Sequence, residues 1–492
     1  YGNLVDFTLA GTYDPDKPVI IDAETPSRTI SLRQARDGVE YFQRFFSPRT
    51  TVCTHLQNDV NYPLYVLGIM AAGAIWTGTN TSYTAAELKH HFTTSNTTCV
   101  ITEIEHLDTV QAAIHASGIK IKILVASDLA NSAVKMRGPR PYICPTSTAV
   151  MMNTSGTTGL PKIAARTHRA FLAELLGTGA LEGVKHYEVR RLFCIPIFHG
   201  FGAPEMIFNA LHYGHVSFFM RRMDETFAQK VHDFGITETY GAPPLMLRLV
   251  NDPSHHHLLQ SLRRISFGGA KLTPELRKQT LSMFKIAPRI VPVYGMTEGG
   301  WFTTCQGNID DEGAAAGSVG RPIAGITIKI EGQFRLSDGN TGGEIMISGP
   351  QLMTAYFRDQ AATSETIING WLRTGDLGYI KNGHVYLIDR LKDLIKISGF
   401  QVAPAELEEV LRRHSGIVDA SVFGAGVDVD EHPVVCVVRR PGASNTSVAE
   451  IKAHLRSQLT RYKVNRCEIV YVDSIPKSAA GKVQRKALRE KA

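Results

Sequence analysis

Asn153-Thr154-Ser155-Gly156-Thr157-Thr158-Gly159-Leu160-Pro161-Lys162 is the stretch from which the rest of the chain can be read. It crowds hydroxyl side chains, two glycines and a lysine into one short loop. Such a loop can wrap a polyphosphate: bare backbone N–H groups form an anion cradle, hydroxyls add donors, and Lys162 supplies charge. It is not the P-loop of kinases and GTPases, which needs four residues between its glycines and a Ser or Thr after the lysine. Here Gly156 and Gly159 are separated only by Thr157 and Thr158, and Ile163 follows Lys162.

Outward from the loop, Val150-Met151-Met152 before it reads as a buried strand, as do Leu192-Phe193-Cys194-Ile195 and Arg289-Ile290-Val291-Pro292-Val293-Tyr294. Tyr62 to Trp76 is the most apolar run, but it carries Pro63, Gly68 and Gly73 and falls short of the roughly 18 apolar residues of a membrane span. It reads as a buried helix leading into a strand. Short apolar runs alternating with amphipathic segments give an α/β pattern, in which ligands gather where strand ends meet loops. From about Gly343 the texture changes to short strands and tight turns, including a hairpin from Tyr379 to Leu387 around Asn382-Gly383. A helix opens at Pro404, with Glu406, Glu408 and Glu409 in its first turns. The domain boundary is placed at 389–392: residues 1–389 form a large N-terminal domain and residues 390–492 a small α+β C-terminal domain.

A chain of 492 residues exceeds one compact core and implies two or three packed subdomains. The net charge of +7 is mild for that length and no dense Lys/Arg block appears, so nucleic acid is not an expected partner. The seven cysteines are scattered and never spaced as C-x-x-C, which favours reduced thiols and no zinc cluster. His255-His256-His257 reads as a solvated loop or helix start rather than a metal site.

Four further clusters carry chemistry. Tyr294-Gly295-Met296-Thr297-Glu298 sits at a strand end, where an aromatic ring can meet a base and Thr plus Glu can hold Mg²⁺ beside phosphates. Thr374-Gly375-Asp376, with Arg390 downstream, offers a carboxylate to ribose hydroxyls. Arg390 to Val402 contains Lys392, Lys396 and a Ser398-Gly399 turn, and Pro476 to Lys482 sets one lysine among small residues. Each cluster alone is equally a turn, a solvated face or a basic tail.

In this order and at these separations they resemble the core motifs of the adenylate-forming superfamily, whose members include acyl-CoA synthetases, peptide-synthetase adenylation domains and beetle luciferases. Pro196-Ile197-Phe198-His199, Tyr294 to Glu298, and Gly399-Phe400-Gln401-Val402-Ala403-Pro404-Ala405-Glu406-Leu407-Glu408 are most similar to the 4-coumarate–CoA-ligase-like acyl-CoA synthetases. The resemblance covers essentially the whole chain. It implies an α/β fold: a large multi-subdomain N-terminal domain with α/β sheets and a small β-barrel, and a mobile C-terminal domain.

The resemblance also implies an acid–thiol ligase that uses ATP, Mg²⁺ and coenzyme A, making acyl-AMP and then a thioester. Thr154, Ser155, Gly156, Thr157, Thr158, Gly159 and Lys162 would hold the β- and γ-phosphates, with Glu298 and Thr158 on Mg²⁺. Tyr294 would stack near the adenine, Gly295 and Thr297 would belong to the same cofactor-binding set, and Asp376 and Arg390 would bind the ribose. Lys482 would bridge the acid and the α-phosphate. Lys392 matches the hinge about which the C-terminal domain turns; Gly399 would then let the pantetheine arm pass close to backbone while Lys396 and Gln401 contact nucleotide or thioester groups, and Lys396 and His199 would join Lys482 as catalytic residues.

His199, Phe201, Glu205, Gly268, Gly269, Val293, Gly295, Trp301 and Phe302 match pocket-lining positions. Bulk at Val293 and Trp301 points to an aryl, arylalkyl or short-to-medium-chain acid. Glu205 stands where a small polar residue is common, and would either meet a polar substituent or face solvent. No aspartate stands where peptide-synthetase domains place one for an amino group, which disfavours α-amino acids. A carrier-protein thiol or an amine remains the alternative acceptor. The Ser-Lys-Leu peroxisomal ending is absent, so cytoplasm is the default expectation, with the peroxisome left open by the chance of trimmed ends.

Overall fold

The computed structural model describes the chain except residues 130–140, 155–160, 181–184, 270–271, 273, 306–316, 336–340, 398–399, 427–430, 441–445, 460, 478–482 and 491–492. Two large sheets dominate. In the nine-stranded sheet, Pro18–Asp22, Val216–Phe219, Arg190–Phe193, Glu238–Gly241, Arg264–Phe267 and Arg289–Met296 run parallel, and antiparallel strands extend both edges. The seven-stranded sheet holds Thr148–Asn153 and Ile163–Thr167, paired antiparallel on either side of the quoted loop. Helices cover these sheets. Tyr62–Ala71 is apolar all round and buried on every face, and feeds the strand Ile75–Gly78. It therefore belongs to the protein core. Among the described residues no helix is long and apolar enough to cross a membrane.

A five-stranded antiparallel sheet follows, built from Thr327–Arg335, Thr341–Ser348, Ile367–Ile368, Trp371–Lys381 and His384–Arg390. This half-barrel is the small β-barrel of the sequence reading. Its last hairpin turns at Asn382 and Gly383, with φ of 52° and 78°. Two successive left-handed residues make the turn whose twist matches the flanking strands, which is why Asn-Gly stands there.

The sheet's last strand runs through Arg390 and is followed by a short 3₁₀ turn, Leu391–Asp393. Beyond it lie the hairpin Ile395–Ile397/Phe400–Val402, the helix Pro404–Arg412 and a three-stranded sheet. These share a core of their own, with Ile395, Val402, Leu407, Leu411, Val435 and Leu455 at its centre. The C-terminal region is thus a separate domain. Leu377, Leu394 and Ala403 pack with Ile388 and Leu391 at the junction.

Candidate active site

The base of the phosphate-type loop is pinned from both sides. Thr154 donates its backbone N–H to the Lys162 carbonyl at 2.8 Å, and the Lys162 N–H donates to Thr154 Oγ1 at 3.2 Å. Ser155, Gly156, Thr157, Thr158 and Gly159 lie outside the described residues. The Lys162 ammonium sits 5.1 Å from the ring centre of Tyr356, a cation–π contact. Tyr356 in turn donates its hydroxyl hydrogen bond to Glu298 Oε1 at 2.7 Å. Burial and the Glu298 charge both push this phenol well above its ordinary range, so it stays a donor. Lys162 and Glu298, 136 residues apart by their numbers, are joined through one ring. Tyr356 was not singled out in the sequence. It arrives through a short strand, Ala355–Tyr356, that pairs with Ala164 and Ala165 directly after the loop.

Glu298 itself is buried, its carbonyl accepting from the Met353 N–H at 2.7 Å. A buried carboxylate near a lysine, with oxygen as the donor atom, fits a hard divalent cation that also binds phosphate. Thr297 is half-buried beside it.

The ribose-type cluster assembles across the last hairpin of the half-barrel. Asp376 and Arg390 are cross-strand neighbours, and Arg390 Nε lies 2.7 Å from Asp376 Oδ1. Tyr294 donates to Asp376 Oδ2 at 2.7 Å. The Asp376 N–H donates to Thr374 Oγ1 at 3.0 Å. Tyr294 is buried, and burial with the Asp376 charge holds its hydroxyl far above the ordinary range. An ionised carboxylate offers about four lone-pair sites, so hydroxyls of a bound ribose can be accommodated beside these donors.

The aromatic wall is built from three distant segments. Phe201 lies with its ring centre 5.5 Å from Trp301 and 6.0 Å from Tyr240, another residue the sequence reading did not mark. A Cβ on Gly268 would approach the Phe201 ring to 2.9 Å, so any side chain there would displace that ring. Gly269 follows at the same strand end, and Val293 is buried on the neighbouring strand. His199 closes a tight turn, its Nδ1 accepting from the Phe201 N–H at 3.2 Å. Side chains alternate along a strand, so Trp301 and Phe302 face opposite ways. Trp301 meets Phe201 and Tyr240, whereas Phe302 packs edge-on against Tyr294 at 5.9 Å, beneath Gly299.

Contrary to one of the two expectations for it, Glu205 does not face solvent. It lies in a π-helical turn, Pro204–Asn209, and is 2% exposed. Arg191 Nη1 reaches its Oε2 at 2.9 Å, Asn209 donates to Oε1 at 2.9 Å, and Tyr240 donates to Oε2 at 3.3 Å. The physical reason is charge pairing: Arg191 is fully buried and is shared between Glu205 and Glu238. The carboxylate buttresses Tyr240 from behind.

At the junction, Lys392 is half-buried, and burial pulls its ammonium down to about 8, with Arg390 and Arg485 pushing the same way. Asp389 Oδ2 accepts the Ala405 N–H at 2.8 Å, satisfying one of the free N–H groups in the first turn of the helix that begins at Pro404. Arg485 Nη1 pairs with Asp393 at 2.8 Å. Lys482 and Gly399 lie outside the described residues, as do the side chains of Lys396 and Gln401. Lys477 and Val483, on either side of the segment holding Lys482, form a bridge, and the Gln484 N–H donates to the Pro476 carbonyl at 2.9 Å.

The fold and these clusters define an adenylate-forming enzyme, and comparison with known proteins agrees. Residues 8–357 match the AMP-binding enzyme family and residues 406–482 the AMP-binding enzyme C-terminal domain. The acyl-CoA ligase M9 of Phoma sp. is 43% identical over 99% of this chain and 95% of its own length. The phenylacetyl-CoA ligase epaB of Aspergillus niger is 33% identical over 97% of this chain and 94% of its own. ATP-bound MatB from Rhodopseudomonas palustris superposes with a TM-score of 0.87 at 24% identity, covering 100% of this chain and 98% of that one. The chain belongs to the AMP-binding enzyme family, among its acyl-CoA ligases.

Proposed function

We propose that the protein joins a carboxylic acid to coenzyme A at the expense of ATP, through an acyl-adenylate. The observation that carries this reading is the meeting of Tyr294, Asp376 and Arg390 in one hydrogen-bonded cluster, with Tyr294 on the strand that leads into Glu298. Glu298 reaches the Lys162 loop through Tyr356. A carboxylate attacking an anionic α-phosphate needs repulsion cancelled and an in-line approach held, and fixed cations and dipoles supply both.

In this reading Thr154 to Gly159 and Lys162 cradle the β- and γ-phosphates, while Glu298 with Thr158 would hold Mg²⁺. The ion, when bound, would neutralise phosphate charge. Asp376 orients the ribose, kept in place by Arg390 and Tyr294. Lys482 bridges the acid and the α-phosphate during adenylation. A turn of the C-terminal domain about Lys392, with the boundary at 389–392, withdraws Lys482 and brings Lys396, Gly399 and Gln401 to the thiol step.

The acid is aryl, arylalkyl or short-to-medium-chain. Three rings, Phe201, Tyr240 and Trp301, within 6.4 Å of one another support a flat or short tail over a long flexible one. Exchange of labelled pyrophosphate into ATP, dependent on added acid but not on coenzyme A, tests the first half-reaction. No acid-dependent exchange across such a panel would contradict it.

A further inference from the structure

Trp301 is 4% exposed, and its indole Nε1–H has no hydrogen-bond partner among the described residues. A buried donor left unpaired is costly, and native structures leave few of them. The cost is not relieved by a shift of the chain, because the backbone at this point is held on every side. The Trp301 N–H donates to Glu174 Oε1 at 2.9 Å. Gln351 Nε2 donates to the carbonyls of both Gly299 and Trp301, each at 2.6 Å. Gly300 adopts φ +75°, and its α-carbon lies so close against the Glu174 carboxylate that no side chain would fit.

Glu174 is in turn fixed by Arg166, 2.8 Å away and equally buried, whose Nε donates to the Gln351 carbonyl at 3.1 Å. A buried ion pair and a buried amide are a large investment of desolvation around one backbone turn. Their joint effect is to lock the origin of a side chain whose only polar atom then finds nothing to bond. The ring beside it is Phe201, which has no acceptor, and the Tyr240 hydroxyl is engaged with Glu205.

We propose that Trp301 is a specificity-determining residue: its indole N–H is reserved for a hydrogen-bond acceptor, an ether or carbonyl oxygen, in the tail of the acid. Arg166, Glu174 and Gln351 are positioning residues that act through its backbone. The inference rests on the acid-activating reading above and narrows it, from a flat or short apolar acid to one carrying an acceptor at a fixed distance from its carboxylate. A site built around a buried donor discriminates against ligands that leave it unpaired more strongly than an apolar wall discriminates by size.

The test is a scan of matched acids. Starting from 5-phenylpentanoic acid and from heptanoic acid, one methylene at each successive tail position is replaced by an ether oxygen or a carbonyl. Acid-dependent pyrophosphate release then gives kcat/KM for each member with the wild-type protein and with Trp301→Phe. At one tail position the oxygen-bearing acid is expected to exceed its methylene parent by about tenfold or more in the wild type. In Trp301→Phe that ratio is expected to fall to near one, with KM for ATP unchanged. Because each ratio is taken within one protein, a loss of folded material cancels, and the wild-type scan stands even if the variant does not fold. No preference at any position, or a preference that survives Trp301→Phe, would overturn the proposal while leaving acid activation intact. If no acid in the scan is activated, the acid-activating reading falls and the proposal falls with it.

Discussion

The hydroxyl of Tyr294 donates to the carboxylate of Asp376 at 2.7 Å, joining the end of a strand in the nine-stranded sheet to the half-barrel. The contact spans 82 residues, and both groups are buried. It orients the carboxylate that Arg390 holds from the other side.

Tyr294→Phe removes that donor and little else. Asp376 keeps Arg390 but loses the donor that fixes its Oδ2. We expect KM for ATP to rise about 5- to 10-fold, in line with ~1 kcal/mol for one buried hydrogen bond, with a smaller change in kcat. Steady-state kinetics with ATP varied at saturating acid checks it. An unchanged KM would separate Tyr294 from nucleotide binding.

Lys482→Ala should lower the rate of acyl-adenylate formation by about 10²- to 10³-fold, as expected for a cation that stabilises charge only in the transition state. Affinity for ATP, followed by calorimetry without acid, should hardly move. A parallel loss of both would make Lys482 a ground-state nucleotide ligand instead.

Glu174→Leu leaves the Arg166 guanidinium buried without its counter-charge. Such a half-broken pair costs about 3–5 kcal/mol, whereas the double change Arg166→Met with Glu174→Leu should recover most of that loss. Burial already holds the Glu174 carboxyl above its ordinary range in spite of Arg166, so the pair's worth lies in placement more than in net stability. Urea unfolding of the single and double variants decides between the two. A double variant as unstable as Glu174→Leu would show that the pair itself stabilises the fold.

Asp389 gives a pH signature. Burial raises its carboxyl from 3.8 to about 6, with the Ala405 N–H and Arg485 only partly offsetting that. A carboxyl raised in the folded state binds more protons there than in the unfolded chain. Its favourable contribution is therefore complete below about 3.8 and is lost as pH rises through about 6. Asp389→Asn removes the titration while keeping an oxygen that can accept the same N–H. Relative to that variant, the wild type should lose stability between these two values. A flat difference in melting temperature across the window would contradict the assignment.

Local chemistry was legible in the sequence where one segment carries it whole. Asn382-Gly383 announced its hairpin, and the spacing from Asp376 to Arg390 became a cross-strand pair because that same turn lies between them. The loop from Thr154 to Lys162 and the strand ending at Tyr294 were readable for the same reason. Tyr356, Tyr240 and the Arg166–Glu174–Gln351 network were not, because each acts only through partners far away in the chain. One signal was present: Glu174 interrupts the apolar run Phe171-Leu172-Ala173-Glu174-Leu175-Leu176 on its helix. A carboxylate in that setting needs a buried partner. Glu205 misled because its neighbours in sequence do not reveal Arg191, which reaches it from an adjacent strand. The opposed faces of Trp301 and Phe302 followed from strand alternation once the strand itself was known.

The most direct measurement is product analysis by mass spectrometry after incubation with MgATP, coenzyme A and the acid that best supports pyrophosphate exchange. One acyl-CoA and one AMP are expected for each pyrophosphate released, with no thioester when coenzyme A is omitted. AMP and pyrophosphate formed without any acyl-CoA, or an acyl group recovered on a carrier thiol or an amine in its place, would contradict the proposed reaction.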